Sequence, residues 1–244
     1  MQLFSKTDIG RVRSTNQDAV DAFMLTDNAA FAIVCDGMGG ANGGDIASAT
    51  AVKCISEYVK KSYSEKMDNE KTAQLLRNAI SSANLDVFSL AESDVSLKGM
   101  GTTVVAAVIT ENYAVICHVG DSRAYLINDG IIQLTTDHSI VQSLIESGEL
   151  TLGEAKTHPE KNVITRALGV EENIFPDYCV VPLKPDDGIL LCSDGLTNYV
   201  DTSDILSTFA ENNTETAVDK LISAANSNGG GDNISIVIVT QNRG

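Results

Sequence analysis

Five aspartates in this 244-residue chain stand beside small or turn-forming residues, in the contexts QDA (Asp18), CDG (Asp36), GDS (Asp121), SDG (Asp194) and GDN (Asp232). Taken singly, an aspartate beside glycine is most often a turn former whose side chain bonds its own backbone. Five of them at the ends of apolar runs call for more, because clustered carboxylates repel and raise one another's pKa unless a cation lies between them. All-oxygen donors, with no cysteine or histidine spacing nearby, select the hard or borderline ions Mg²⁺ or Mn²⁺ over zinc or copper. A binuclear site of that kind makes a nucleophile of water at neutral pH and stabilises charge on a phosphoryl group in an in-line displacement. Such chemistry needs a grip on the anion. Arg13, five residues before Asp18, carries paired donors matched to phosphate oxygens. From spacing alone, a solvated surface arginine is the competing reading, and Arg123 reads as a structural partner rather than a substrate contact.

The glycine-rich stretch CDGMGGANGGD (35–45) poses a rival, a loop that cradles a nucleotide phosphate. A dinucleotide fingerprint starting at Gly37 needs glycine at position 42, where Asn42 stands, and a P-loop needs Lys-Ser or Lys-Thr, which this stretch lacks. The glycines instead let the backbone turn tightly beside Asp36, and at Gly37 they leave a carbonyl open to a metal.

The elements that must position these groups follow from periodicity. Val- and Ile-rich runs at 30–35, 102–110, 113–119, 188–192 and 234–240 read as buried strands, with weaker ones at 2–7, 19–25 and 123–127. Ile46, Ala49, Val52, Ile55 and Val59 recur every three or four residues and predict a helix over 44–60. Further helices fit 70–91, 202–212 and 214–228. Links as short as TDNA (26–29) and ENY (111–113) force antiparallel neighbours. A hairpin returns the chain to the edge it left. Asp18 and Asp36 therefore meet across one hairpin, Asp194 and Asp232 meet if 188–192 pairs with 234–240, and the hairpin 102–119 delivers Asp121 to the end where it began. Strand groups alternating with helix pairs give two antiparallel sheets covered by helices, an α+β fold.

Composition bounds the function. Hydrophobic residues make up 43% and charged residues 20%, values of a chain that folds as a single globular domain. The formal net charge of -16 disfavours nucleic acid and anionic membrane surfaces. Neither the first eighteen residues nor an apolar run such as 104–109 has the length of a signal peptide core or a bilayer span, which points to a soluble cytoplasmic protein. The five cysteines show no zinc spacing and read as reduced core thiols.

Taken in order, RSTNQDA (13–19), CDGMGG (35–40), GMGTT (99–103), VGDSR (119–123), HPEKNVITRALG (158–169), LCSDGL (191–196) and GGDNIS (230–235) resemble the bacterial branch of the metal-dependent Ser/Thr protein phosphatases, the PPM or protein phosphatase 2C-like family. The likeness covers nearly the whole chain. It implies a four-layer α-β-β-α sandwich spanning 1–244, with metals in a cleft at one edge of the two sheets and a flap at about 138–168. By the same resemblance, Asp36 bridges two Mn²⁺ or Mg²⁺ ions, Gly37 binds one through its carbonyl, and Asp194 and Asp232 complete the first site. Asp18 holds metal-bound waters or the metal itself, Asp121 matches the ligand of a third, weaker ion that Asp194 shares, and Arg13 matches the phosphate-binding arginine. Arg13, Asp18 and Asp36 carry the catalysis. The implied reaction is hydrolysis of phosphoserine and phosphothreonine proteins by direct attack of a hydroxide bridging the metals, without a covalent phosphoenzyme. The implied partner is a eukaryotic-like bacterial Ser/Thr kinase, and the implied state a monomer.

The chain departs from the family at three places. Met38 stands where many relatives carry histidine as a general acid, so a metal-bound water or another group must protonate the leaving alkoxide. Ala41 and Asp45 stand where bacterial relatives often have histidine and glutamate. His118, His138 and His158 are assigned to core, loop and flap packing. Two rivals stay open: a phosphatase-like binding protein without turnover, and a metal-dependent phosphodiesterase, which the acidic surface opposes.

Overall fold

The strand AAFAIVC (29–35) shows why the chain layers as it does. Its side chains alternate, and both faces are apolar, so neither face can be left to water. In the computed structural model, which describes residues 1–39 and 43–241, Ala30 to Cys35 are fully buried. Phe31, Ile33 and Cys35 pack against helices, while Ala30, Ala32 and Val34 pack against a second sheet.

The chain begins with β1 (Gln2–Asp8), β2 (Asp18–Thr26), β3 (Ala29–Met38), α1 (Gly44–Ser62), α2 (Asn69–Ser93), β4 (Gly101–Thr102), β5 (Val104–Thr110) and β6 (Tyr113–Val119). It continues with β7 (Arg123–Ile127), β8 (Ile131–Gln133), α3 (Ile140–Glu146), α4 (Leu152–Ala155), β9 (Asp177–Pro182), β10 (Gly188–Cys192), α5 (Asp194–Thr197), α6 (Thr202–Glu211), α7 (Thr214–Ser227) and β11 (Ile234–Thr240). One sheet runs β1-β11-β10-β7-β8 and the other β2-β3-β5-β6-β9, with β4 paired to the end of β3. Every pairing is antiparallel. The sheets meet through Val34, Val105, Ile189, Leu191 and Val237. Ile55 of α1 and Leu76 of α2 cover the outer face of one sheet, and Phe209 of α6 and Leu221 of α7 cover the other. The fold is thus an α-β-β-α sandwich of the α+β class.

Helix starts are set by side-chain caps. Asp68 accepts from the Lys71 amide at 2.8 Å and Asn213 from the Thr216 amide at 2.9 Å, satisfying donors that the first turn leaves unpaired. Two sequence expectations need correction. The run 102–110 is two strands rather than one, because opposite Asp36 the ladder is broken on one side: the Asp36 amide donates to the Thr103 hydroxyl at 3.0 Å instead of to its carbonyl. A strand at 177–182 was not expected: β9 is a half-exposed edge whose sequence, DYCVVP, lacks a continuous apolar signal. Among the described residues, no helix is long and apolar enough to cross a membrane.

Candidate metal centre

Asp18 opens β2 and lies directly opposite Asp36 in the β2–β3 ladder. Residues so paired project from the same face, and like charges there are destabilising unless something neutralises them. Asp36 does not follow the strand, as the sequence reading had it, but lies within it. Gly37 and Met38 prolong β3 by pairing with Thr102 and Gly101 of β4. The second carboxylate pair forms as the sequence reading required. Cys192 of β10 faces Ile236 of β11, so Asp194, at the start of α5, and Asp232, just before β11, leave the sheet at one end. Val104 faces Val119, which carries Asp121 back to the edge where β5 begins.

Hydrogen bonds tie these loops together. The Thr103 amide donates to the Asp36 carbonyl at 2.8 Å, and its hydroxyl accepts from the Asp36 amide at 3.0 Å. The same hydroxyl lies 2.7 Å from Ser122 Oγ, beside Asp121. Ser193 Oγ donates to Asp18 Oδ2 at 2.8 Å, Asn198 Nδ2 to Asp194 Oδ2 at 2.9 Å, and Arg13 Nη2 to Asp232 Oδ2 at 2.8 Å. Arg123, as expected, is structural: its guanidinium makes a forked pair with Asp137 at 2.9 and 2.6 Å.

The electrostatics record the convergence. Burial, reinforced by Asp194 and Asp232, pushes the Asp18 carboxyl up to about 7 against the hydrogen bonds of Ser235 and Ser193. Burial, with Asp194 and Asp137, pushes Asp121 up to about 7. Asp36 is pushed well above the carboxylate range by burial and then by Asp18, Asp194, Asp121 and Asp232. Asp194 is raised by burial and then by Asp232. Each of these four acids feels others of the set, which scattered turn aspartates would not do.

Two carboxylate oxygens, Asp18 Oδ1 and Asp194 Oδ1, are buried without a hydrogen-bond partner. A buried acidic oxygen with no donor is costly, and a cation satisfies it. At Gly37, a Cβ would lie 2.0 Å from the Gly44 carbonyl oxygen and 2.5 Å from that of Gln17, so only glycine admits this approach of backbones. Orphaned acidic oxygens, a bare backbone beside them and an all-oxygen donor set together fit Mg²⁺ or Mn²⁺.

Sequence reasoning missed Asn233. Its Oδ1 accepts from the Gln17 amide at 2.8 Å, and its Nδ2 donates to the carbonyls of Ile9 at 2.9 Å and Thr15 at 3.0 Å. It therefore holds the loop that carries Arg13. The signal was the asparagine beside Asp232 in GGDN, read only for its aspartate. Asp45 is exposed in the first turn of α1, and Ala41 lies outside the described residues. The segment 138–168 contains α3 and α4 and is pinned at its ends by bridges between Ser139 and Ile164 and between Thr102 and Leu168. All five cysteines are free, and burial raises the thiols of Cys35 and Cys192, the latter to about 12, so neither is poised as a nucleophile.

Comparison with known proteins agrees with this geometry. The family model described as Protein phosphatase 2C matches residues 10–225. The "Serine/threonine phosphatase stp" of Listeria welshimeri is 43% identical over 241 residues, covering 97% of this chain and 94% of its own. The crystal structure of the serine/threonine phosphatase Stp1 from Staphylococcus aureus superposes with a TM-score of 0.93 at 35% identity, covering 99% of this chain and 95% of that one. The catalytic domain of the serine/threonine protein phosphatase PstP, solved in complex with two manganese ions, gives a TM-score of 0.85 at 30% identity, with 97% and 96% covered.

Proposed function

This chain belongs to the protein phosphatase 2C family, and we infer from that membership and from the clustered acids that it is a metal-dependent protein-serine/threonine phosphatase. The observation that carries the reading is the convergence of carboxylates, Asp18 buried and the others half-buried, with two orphaned oxygens at one edge of both sheets. Asp36, opposite Asp18 in the ladder and within electrostatic reach of Asp194, would be the ligand shared by two ions, and the Gly37 carbonyl, Asp194 and Asp232 would complete one position. Asp18 would hold a metal-bound water or the ion itself, and Asp121 with Asp194 would hold a third, weaker ion. Bound Mn²⁺ or Mg²⁺ supplies an activated water for direct attack on phosphorus and offsets the charge that develops on the phosphoryl oxygens.

The protein's own groups bind and orient. The Arg13 side chain is 49% exposed at the cleft, with one nitrogen committed to Asp232. Its remaining donors would be available to a phosphate, which the guanidinium would align against the Asp232 edge of the centre. Asn233 fixes the loop on which that alignment depends. Met38, at the end of β3, has no proton to give, so a metal-bound water or another group supplies the proton for the leaving serine or threonine oxygen. The segment 138–168 acts as a flap over the cleft, and the chain 1–244 works as one domain. Its net charge of -16 favours a soluble monomer, and the proposed location is the cytoplasm. The partner this reading assigns is a eukaryotic-like bacterial Ser/Thr kinase, whose phosphorylated products the enzyme reverses.

The test is phosphate release from a phosphothreonine peptide with and without Mn²⁺, beside a bis-aryl phosphodiester. The reading requires Mn²⁺-dependent release from the peptide in excess of the diester. Release from the diester alone would make the protein a phosphodiesterase, and no release at saturating Mn²⁺ would leave a binding protein.

A further inference from the structure

A second grouping of ligand-type side chains lies away from the aspartates. His118, His138 and Asp177 bring potential donor atoms within 4.8 Å of one another, and the two imidazoles stack with centroids 4.8 Å apart. The hydrogen bonds argue against a metal there. His138 Nδ1 accepts from the Gly120 amide at 3.0 Å, so the proton of the neutral ring sits on Nε2, which points to Asp177 Oδ2 at 3.3 Å. Ligation through Nε2 would move that proton to Nδ1, against the Gly120 N–H. Arg166 Nη1 donates to Asp177 Oδ1 at 3.0 Å and lies 2.8 Å from Nε2; with Nε2 protonated that second contact sets donor against donor and is no hydrogen bond, but it puts a guanidinium charge where an ion would have to sit.

What His138 does hold is Gly120. Besides the Nδ1 contact, the His138 amide donates to the Gly120 carbonyl at 3.0 Å, so both backbone groups of Gly120 end on one residue. Gly120 is buried at a φ of +104°, and a Cβ there would lie 2.6 Å from Thr103 Cγ2. The residue before Asp121 is thus trapped between Thr103, which also bonds Asp36, and His138. On its other side, the His138 carbonyl accepts from the Thr165 amide at 2.8 Å, on the returning arm of the flap. One residue therefore connects the backbone that aims Asp121 to both arms of the segment 138–168.

We propose that His138 is a positioning residue: through Nδ1 it fixes Gly120 and so aims Asp121 at the weaker metal position, and it makes that position sensitive to how the flap is seated. The inference rests on Asp121 being a ligand there, and the test separates the two. Asparagine places an acceptor where Nδ1 stands, and glutamine places polar atoms where Nε2 stands. Mn²⁺ binding by calorimetry and Gly120 amide exchange in chelator-treated protein are measured for wild type, His138→Asn, His138→Gln and Asp121→Asn.

The proposal expects His138→Gln to weaken the weaker Mn²⁺ step by about 10-fold or more, as loss of an outer-shell partner does, and to speed Gly120 exchange. His138→Asn should leave both near wild type. Equal defects in the two His138 variants would reduce the residue to packing and overturn the proposal, as would wild-type behaviour of His138→Gln. If Asp121→Asn leaves every Mn²⁺ step unchanged, the assignment of Asp121 falls, while Gly120 exchange still reports whether Nδ1 holds that amide.

Discussion

Asp36 is the residue on which most of the centre's charge converges, since four other aspartates raise its pKa after burial does. Asparagine at this position keeps the shape and removes the shared negative charge. We expect Asp36→Asn to lower turnover of a phosphothreonine peptide by more than about 100-fold, because outer-shell changes alone cost 10–100-fold in metal sites; activity near wild type would refute its bridging role. Arg13→Ala is expected to raise KM more than it lowers kcat, because a guanidinium gripping phosphate serves ground state and transition state alike. A defect confined to kcat would assign Arg13 to the transition state instead. Asn233→Ala should reproduce the KM effect of Arg13→Ala without removing a substrate contact, since it frees the Gln17 amide and the carbonyls of Ile9 and Thr15. The aspartates were legible because each ends or begins an apolar run. Asn233 was not, because its partners lie more than 200 positions away in the chain and no local pattern records them.

Among the elements, β3 and the first turn of α1 set how closely backbones approach beside Asp36. Gly37→Ala would force a Cβ to within 2.0 Å of the Gly44 carbonyl, and Gly195→Ala to within 1.9 Å of that of Asn233. In both cases the contact is backbone, which cannot swing away. Each substitution is expected to destabilise the protein by about 1–3 kcal/mol or more, as overpacking does, measured by denaturant unfolding of chelator-treated protein. Gly148→Ala, where a Cβ meets nothing within 4 Å but φ is +79°, should cost less. The strands and long helices followed from periodicity, because β3, β5, β6, β10 and β11 are apolar on both faces and α1 and α2 on one. The edge β9 and the short flap helices escaped, since a half-exposed strand and helices of seven or four residues carry little pattern.

For the whole molecule, the buried acids link stability to pH and to divalent ions. A carboxyl whose folded pKa lies above its unfolded value keeps its proton longer in the folded state. Folded protein then binds more protons than unfolded, and stability falls as pH rises. With Asp18 and Asp121 raised from 3.8 to about 7, the loss runs from the acid side through neutrality. The buried histidines His118 and His138, whose pKa values burial lowers, act the other way, and only up to about pH 6.5. Chelator-treated protein should therefore melt lower at about pH 7.5 than at about pH 6.5, and Mn²⁺ should raise the melting temperature more at the higher pH. A melting temperature that climbs with pH without metal would contradict the clustered-acid account. The meeting of the acids at the ends of their own hairpins was legible from hairpin geometry, whereas the four-layer order and the edge common to both sheets came with the family resemblance. The strain of gathering these acids was legible only as a need for cations.

The most direct test is a calorimetric titration of the chelator-treated protein with Mn²⁺ beside the Asp36→Asn variant. The account predicts uptake of about two ions with their tight binding lost in the variant, in keeping with a two-metal site. No Mn²⁺ uptake by the wild type at millimolar concentration, or identical isotherms for the two proteins, would contradict it.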